Sequence, residues 1–161
     1  MQRVLLFLGG AILGIAAGFA LGIFVYPYLF LADIVAEERL DASAHALVAE
    51  GTFVHADPSD SIHWGKGSVS VYENIVHLHA DFEVGPGPKY HVYLVPQRDI
   101  KPDTKVAQTM FVDLGRLRAF KGSQNYAIPA GTRLADYPSV VVWCEQFGVL
   151  ISPAALRPAT R

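Results

Sequence analysis

Between Val4 and Leu31 the sequence runs for 28 residues without a charged side chain; 22 of them are apolar, five are glycines and one is Pro27. A helix that is apolar on every side must be buried in a large core or lie in lipid. With 161 residues the chain has room for one domain of roughly 100–150 residues plus a short extra element, too little to wrap a core around such a helix. A hydrocarbon layer about 30 Å thick is crossed by roughly 20 residues rising about 1.5 Å each. Val4 to Val25 supplies 22. One membrane span is the expectation. The apolar content of 52% is raised by this stretch alone, because the rest of the chain carries every Lys, Arg, Asp and Glu and has an ordinary soluble composition. That division excludes a multi-span protein and a disordered chain. The single cysteine excludes an internal disulfide framework, and the net charge of -2 excludes a nucleic-acid binder that relies on bulk positive charge.

Residues 1–31 thus read as a transmembrane signal-anchor. Tyr26-Pro27-Tyr28 suits the headgroup layer, with a proline to kink or end the helix. A cleavable signal peptide is the competing reading, since Gly18-Phe19-Ala20 resembles a small-x-small cleavage site, but cutting there would leave an apolar terminus exposed. Arg3 precedes the span and only Arg39 follows closely, which favours a cytoplasmic N-terminus and a domain outside the cytoplasm, periplasmic in a bacterium. Gly10, Gly14, Gly18 and Gly22 stand four apart, a stripe that lets two helices approach closely and would allow a homodimer; the competing reading is that glycine is simply frequent in membrane helices. Residues 32–50 are rich in helix formers, with Ala36, Leu40, Ala44, Leu47 and Val48 near one face; they read as a helical stalk ended by Gly51.

From Gly51 onward, short β-branched and aromatic runs alternate with Gly, Pro and Asn turns. The expectation is an all-β domain over 51–156, a small antiparallel sandwich or barrel, with 157–161 as a tail. A hairpin turning at Glu73-Asn74 would pair Val71 with Val76 and Val69 with Leu78 on an apolar face. Its polar face would pair Ser70 with His77, Ser68 with His79 and Lys66 with Asp81. Tyr90 to Val95 is apolar on both faces and reads as a central strand. Met110 to Leu114 and Tyr126 to Ile128 read as strands separated by a turn at Lys121 to Gln124. A last hairpin turning at Glu145-Gln146 would set Cys144 opposite Phe147 and Trp143 over Gly148.

Few residues offer chemistry. Cys144 is a buried thiol, an intermolecular bridge, or a ligand or redox centre. The absence of CxxC and CxxCH excludes a thioredoxin-type dithiol and covalent haem attachment. His77 and His79 share one strand face roughly 6–7 Å apart, a spacing that can hold copper or zinc with a third ligand from His91, Met110 or Cys144. The competing reading is two imidazoles on a half-exposed sheet. His55 and His63 flank an acidic segment and read as surface loop. No GxSxG, HExxH or phosphate-cradling glycine loop is present, so turnover catalysis is not the expected activity.

Gly51-Thr52-Phe53, His63-Trp64-Gly65-Lys66-Gly67 and Gly87-Pro88-Lys89-Tyr90-His91-Val92-Tyr93-Leu94 together resemble the opening half of the DM-thirteen domain. Leu114-Gly115-Arg116-Leu117, Lys121-Gly122-Ser123-Gln124-Asn125-Tyr126-Ala127-Ile128-Pro129 and Val141-Val142-Trp143-Cys144-Glu145-Gln146-Phe147 resemble its closing half. The resemblance implies an exported β-rich module, associated with DOMON domains, that transfers electrons through Cys144 as a bare thiol or as the holder of a prosthetic group such as haem. The alternative reading is a non-catalytic binding or assembly module contacting another envelope protein.

Overall fold

The computed structural model describes residues 2–159, apart from the side chains of Phe24 and Tyr28. The charge-free stretch forms helix α1, Gln2–Tyr26, continued by a π-helical turn, Pro27–Leu31. Its segment Gln2–Ile23, with a mean hydropathy of 2.4, is long and apolar enough to cross a membrane, and none of it is buried against the rest of the chain. A signal sequence would share those properties.

The remainder is mainly β. Ten strands follow: β1 Val35–Glu37, β2 Leu47–Phe53, β3 Gly65–Tyr72, β4 Ile75–Leu78, β5 Glu83–Val84, β6 Tyr90–Val95, β7 Val112–Arg116, β8 Lys121–Ala127, β9 Ser139–Cys144 and β10 Val149–Pro158. They form one sheet in the order β1-β8-β4-β3-β2-β10-β9-β6-β7, with β5 bridging β3 and β8. The sheet curls until β7 comes against β8, which gives a barrel-like body. All pairings are antiparallel except β1 with β8, so the sheet is mixed.

The helical stalk does not form. Within residues 32–50 only a 3₁₀ turn at Ala42–Ala44 is helical, while β1 and the start of β2 are strands. The helix formers there have weak intrinsic preferences, and sheet pairing overrides them. Glu38 fastens the segment to the sheet edge: both its carboxylate oxygens accept from Arg118, at 2.7 and 2.9 Å, and the backbone N–H of Asn125 donates to it at 2.9 Å. The domain therefore begins before Gly51. It also extends later, since Arg157 and Pro158 pair with Glu50 and Ala49; the last residues of the expected tail, Thr160 and Arg161, lie outside the described residues.

The first hairpin keeps the expected register, with Val69 opposite Leu78, Ser70 opposite His77 and Val71 opposite Val76. Beyond it, Lys66 pairs with Glu83 rather than Asp81. Gly67 explains the slip: its φ of +107° suits only glycine, and a side chain there would strike the Phe82 backbone. Asp81 instead accepts from the Ser68 N–H and hydroxyl. The segment Lys121 to Gln124, expected as a turn, is part of β8. The final hairpin has a longer turn than expected, which sets Val149 opposite Cys144 and Leu150 opposite Trp143.

Alternation along β9 divides the interior. Val140, Val142 and Cys144 enter a core with Phe53, Val69, Leu78, Phe82, Tyr90 and Tyr126, while Val141 and Trp143 join a smaller cluster with Tyr93, Ile100 and Leu150 on the opposite face. Each fully buried aliphatic or aromatic side chain contributes roughly 1.5–3 kcal/mol. Buried Gln124 is fully partnered: its Oε1 accepts from the Arg118 and Ala119 N–H groups and the Tyr126 hydroxyl, and its Nε2 donates to the Ala119 carbonyl.

Candidate functional site

Cys144 ends β9, directly opposite Tyr90 of β6 and Val149 of β10. It is 1% exposed, and its Sγ donates to the Pro88 carbonyl at 3.3 Å. Such burial excludes an intermolecular disulfide in the folded state. Burial pushes the thiol above its ordinary range, and the backbone N–H groups of Phe147 and Gln146 only partly pull it back. Cys144 is therefore a protonated thiol, not a standing thiolate.

Its surroundings make it more than filler. Cys144 forms part of the wall of a cavity of about 450 Å³, with Val25, Ile62, His63, Phe147 and Val149 among the other lining residues. The Pro86-Gly87-Pro88 turn closes one side, and Gly87 is required there because any side chain would collide with the Tyr90 hydroxyl. The lining contains no Lys, Arg, Asp or Glu.

His63 is the one imidazole in that wall. Its Nδ1 meets Asp60 Oδ2 at 2.6 Å, and its backbone N–H donates to Asp60 Oδ1 at 3.0 Å. The His63 ring, then its N–H, hold the Asp60 carboxyl down at about 2. With Nδ1 engaged, Nε2 is the nitrogen left to exchange a proton with a bound molecule. No hydrogen bond joins His63 to Cys144; the two share the cavity wall. The sequence reading placed His63 in a surface loop and missed this. The local signal was the Asp60-x-x-His63 spacing, whereas the approach to Cys144 comes from tertiary packing.

The family model described as Electron transfer DM13 matches residues 57–156, well over half of the sequence. The chain belongs to the DM13 family. No curated protein and no solved structure matches it. The matched DM13 region contains Cys144, His63, Asp60 and every other residue of the cavity wall except Val25.

The other three histidines of the DM13 domain separate into two groups. His77 of β4 and His79, just past its end, stack edge to face with centroids 4.8 Å apart, but His77 Nδ1 is held by Asn125 and His79 Nε2 by Ser70. Burial, then His77, lowers the His79 pKa. His91 is not brought to them. It lies on β6, between Asp113 at 3.0 Å from Nδ1 and Glu145 at 3.5 Å from Nε2. Among the described residues, His91, Asp113 and Glu145 are the only group of three such side chains close enough to share an ion. Lys89 at 3.1 Å and the Tyr93 hydroxyl at 2.8 Å already compensate Glu145, and two carboxylates with one imidazole are a poor donor set for copper. Met110 is exposed and joins neither group.

Haem is the prosthetic group the resemblance raised. The apolar wall would suit a porphyrin, but Sγ is turned to the Pro88 carbonyl, and no cation in this cavity's lining would meet the propionates. The cavity does not fit haem, and the chemistry-bearing side chains in its wall are one thiol and one imidazole.

Proposed function

We propose that this DM13 protein is a membrane-anchored electron-transfer module, its domain outside the cytoplasm, in which the Cys144 thiol is the group that changes oxidation state. The observation that carries the reading is the shared cavity of Cys144 and the Asp60-backed His63. The couple is thiol and sulfenic acid. With a peroxide as oxidant, sulfur attacks one peroxide oxygen, an S–O bond forms and the O–O bond breaks. The thiol proton passes through His63 Nε2 to the departing oxygen, which leaves as water. The sulfur loses two electrons, and peroxide gains them. Because burial holds the proton on Cys144, a proton acceptor in the cavity is what makes the sulfur nucleophilic. The N–H groups of Phe147 and Gln146 stabilise the transient thiolate.

The span would hold this domain at the membrane surface, and the glycine stripe would pair two copies.

The full chain in phospholipid nanodiscs, treated with peroxide and a sulfenate-trapping dione, should show the trap on Cys144 by peptide mass spectrometry. His63→Ala should slow trapping by about 10²-fold, within the range for loss of a general base. Trapping at an unchanged rate in His63→Ala would remove the imidazole from the mechanism, and no trapping before denaturation would remove the thiol.

A further inference from the structure

A buried thiol that cycles needs a reductant able to reach it, and the walls of its cavity restrict which kind. Cys144 is 1% exposed, so another protein cannot touch Sγ. The wall of the Cys144 cavity itself has no Lys or Arg to bind phosphate groups. What the cavity offers is an apolar wall, one imidazole nitrogen and a volume of about 450 Å³, within the roughly 300–1,000 Å³ of small-molecule sites.

The position of the opening points to the source. Val25, near the end of α1, forms part of the wall, and the apolar side chains Ile62 and Phe147 beside it are 53% and 45% exposed. A second cavity, about 470 Å³, shares Gly87, Pro88 and Tyr90 with the first and is lined by Gly22, Ile23 and Tyr26 of α1 and also by Lys89, Arg116 and Arg118. The two cavities adjoin at those shared residues, so a path from the flank of the expected span to Cys144 would run through both. We infer that this path admits a lipid-soluble quinol from the bilayer, its ring in the Cys144 cavity with one hydroxyl donating to His63 Nε2 and its tail along α1.

The electron step rests on the reading of Cys144 given above. The quinol becomes a quinone, giving up two electrons and two protons. The S–O bond of the sulfenic acid breaks, one proton ends on sulfur and the other on the oxygen that leaves as water. His63 receives a quinol proton and passes it on.

The test separates occupancy from chemistry. The Cys144→Ser chain in nanodiscs, exposed to a photoreactive short-tailed quinone, should be labelled on the segments Ile62–His63, Pro86–Tyr90 or Phe147–Val149. Ile62→Trp, at a position too exposed to disturb folding, should cut labelling about tenfold, a change equivalent to 1.4 kcal/mol of binding. Labelling elsewhere, labelling unchanged by Ile62→Trp, or a photoreactive phospholipid that occupies the cavity and resists competition by quinone would overturn the occupant. In a second arm, wild-type chain carrying Cys144 sulfenate receives a short-tailed quinol, and quinone should form in step with loss of sulfenate. Quinone labelling in a chain whose Cys144 resists oxidation would leave the occupant standing and remove the thiol reading. Sulfenate formation without quinone labelling would do the reverse.

Discussion

Cys144 donates its thiol proton to the Pro88 carbonyl at 3.3 Å, one of the contacts that tie the end of β9 to the turn that closes the cavity. The residue after Pro88, Lys89, has a φ of 50°, in the left-handed region that ordinary side chains avoid. Its ammonium reaches Glu145, the neighbour of Cys144. A backbone conformation that costs about 1–2 kcal/mol is thus retained where the turn meets the thiol.

The thiol should discriminate between reagents by polarity. Anionic iodoacetate should alkylate native Cys144 far more slowly than apolar N-ethylmaleimide, and the two should react at ordinary relative rates once the chain is denatured. Because burial raises the thiol pKa, the native alkylation rate should still be rising at pH values above the usual thiol range near 8.5. Peptide mass spectrometry at timed quenches measures both effects.

Asp60 sets a second pH dependence. Its folded pKa of about 2 lies below the roughly 3.9 of an unfolded aspartate, so its bond to His63 stabilises the loop above about pH 4. That stabilisation is lost as pH falls through 2. Carboxyl-carbon NMR should give an Asp60 midpoint near 2 in the wild type, moving toward the unfolded value in His63→Ala.

Gln124 should be intolerant of an isosteric apolar replacement. Gln124→Leu strands the Arg118 and Ala119 N–H groups and the Tyr126 hydroxyl inside the core, and unpaired buried groups cost about 1–3 kcal/mol each. Burial already pushes the Tyr126 hydroxyl up to about 12, so it cannot escape by ionising. Urea unfolding of Gln124→Leu should show a loss of at least about 2 kcal/mol, and Tyr126→Phe a smaller one.

The parts of the fold that were legible in the sequence are those set by local pattern. The long apolar helix followed from the run without charges, and the Val69–Leu78 pairing from alternation about a two-residue turn. The stalk was not legible, because the capture of Val35 to Glu37 by β8 depends on Arg118, far along the chain. Nor was the Lys66–Glu83 pairing, since alternation says nothing about where Gly67 inserts a bulge. Cys144 stood out by being the only cysteine. His63 did not, because the two residues come to line one cavity only when β9 and the loop before β3 close on it.

The glycine stripe makes a prediction independent of the domain. A side-chain carbon added at Gly10, Gly14, Gly18 or Gly22 meets nothing within 4 Å, so the single helix has no need of glycine there. If the stripe pairs two spans, Gly14→Ile should abolish the signal of a membrane dimerisation reporter without altering the melting of the domain. An unchanged reporter signal would leave the glycines without that role.

The central claim, that Cys144 carries the electrons, is tested most directly by counting peroxide consumed per chain at an electrode, with the full chain in nanodiscs. Wild type should consume about one peroxide per chain, and about one more after each reduction by dithiothreitol, as a single thiol–sulfenic acid couple requires. Cys144→Ser should consume none. Equal consumption by the two proteins, or a wild-type chain that consumes peroxide only after unfolding, would contradict the account.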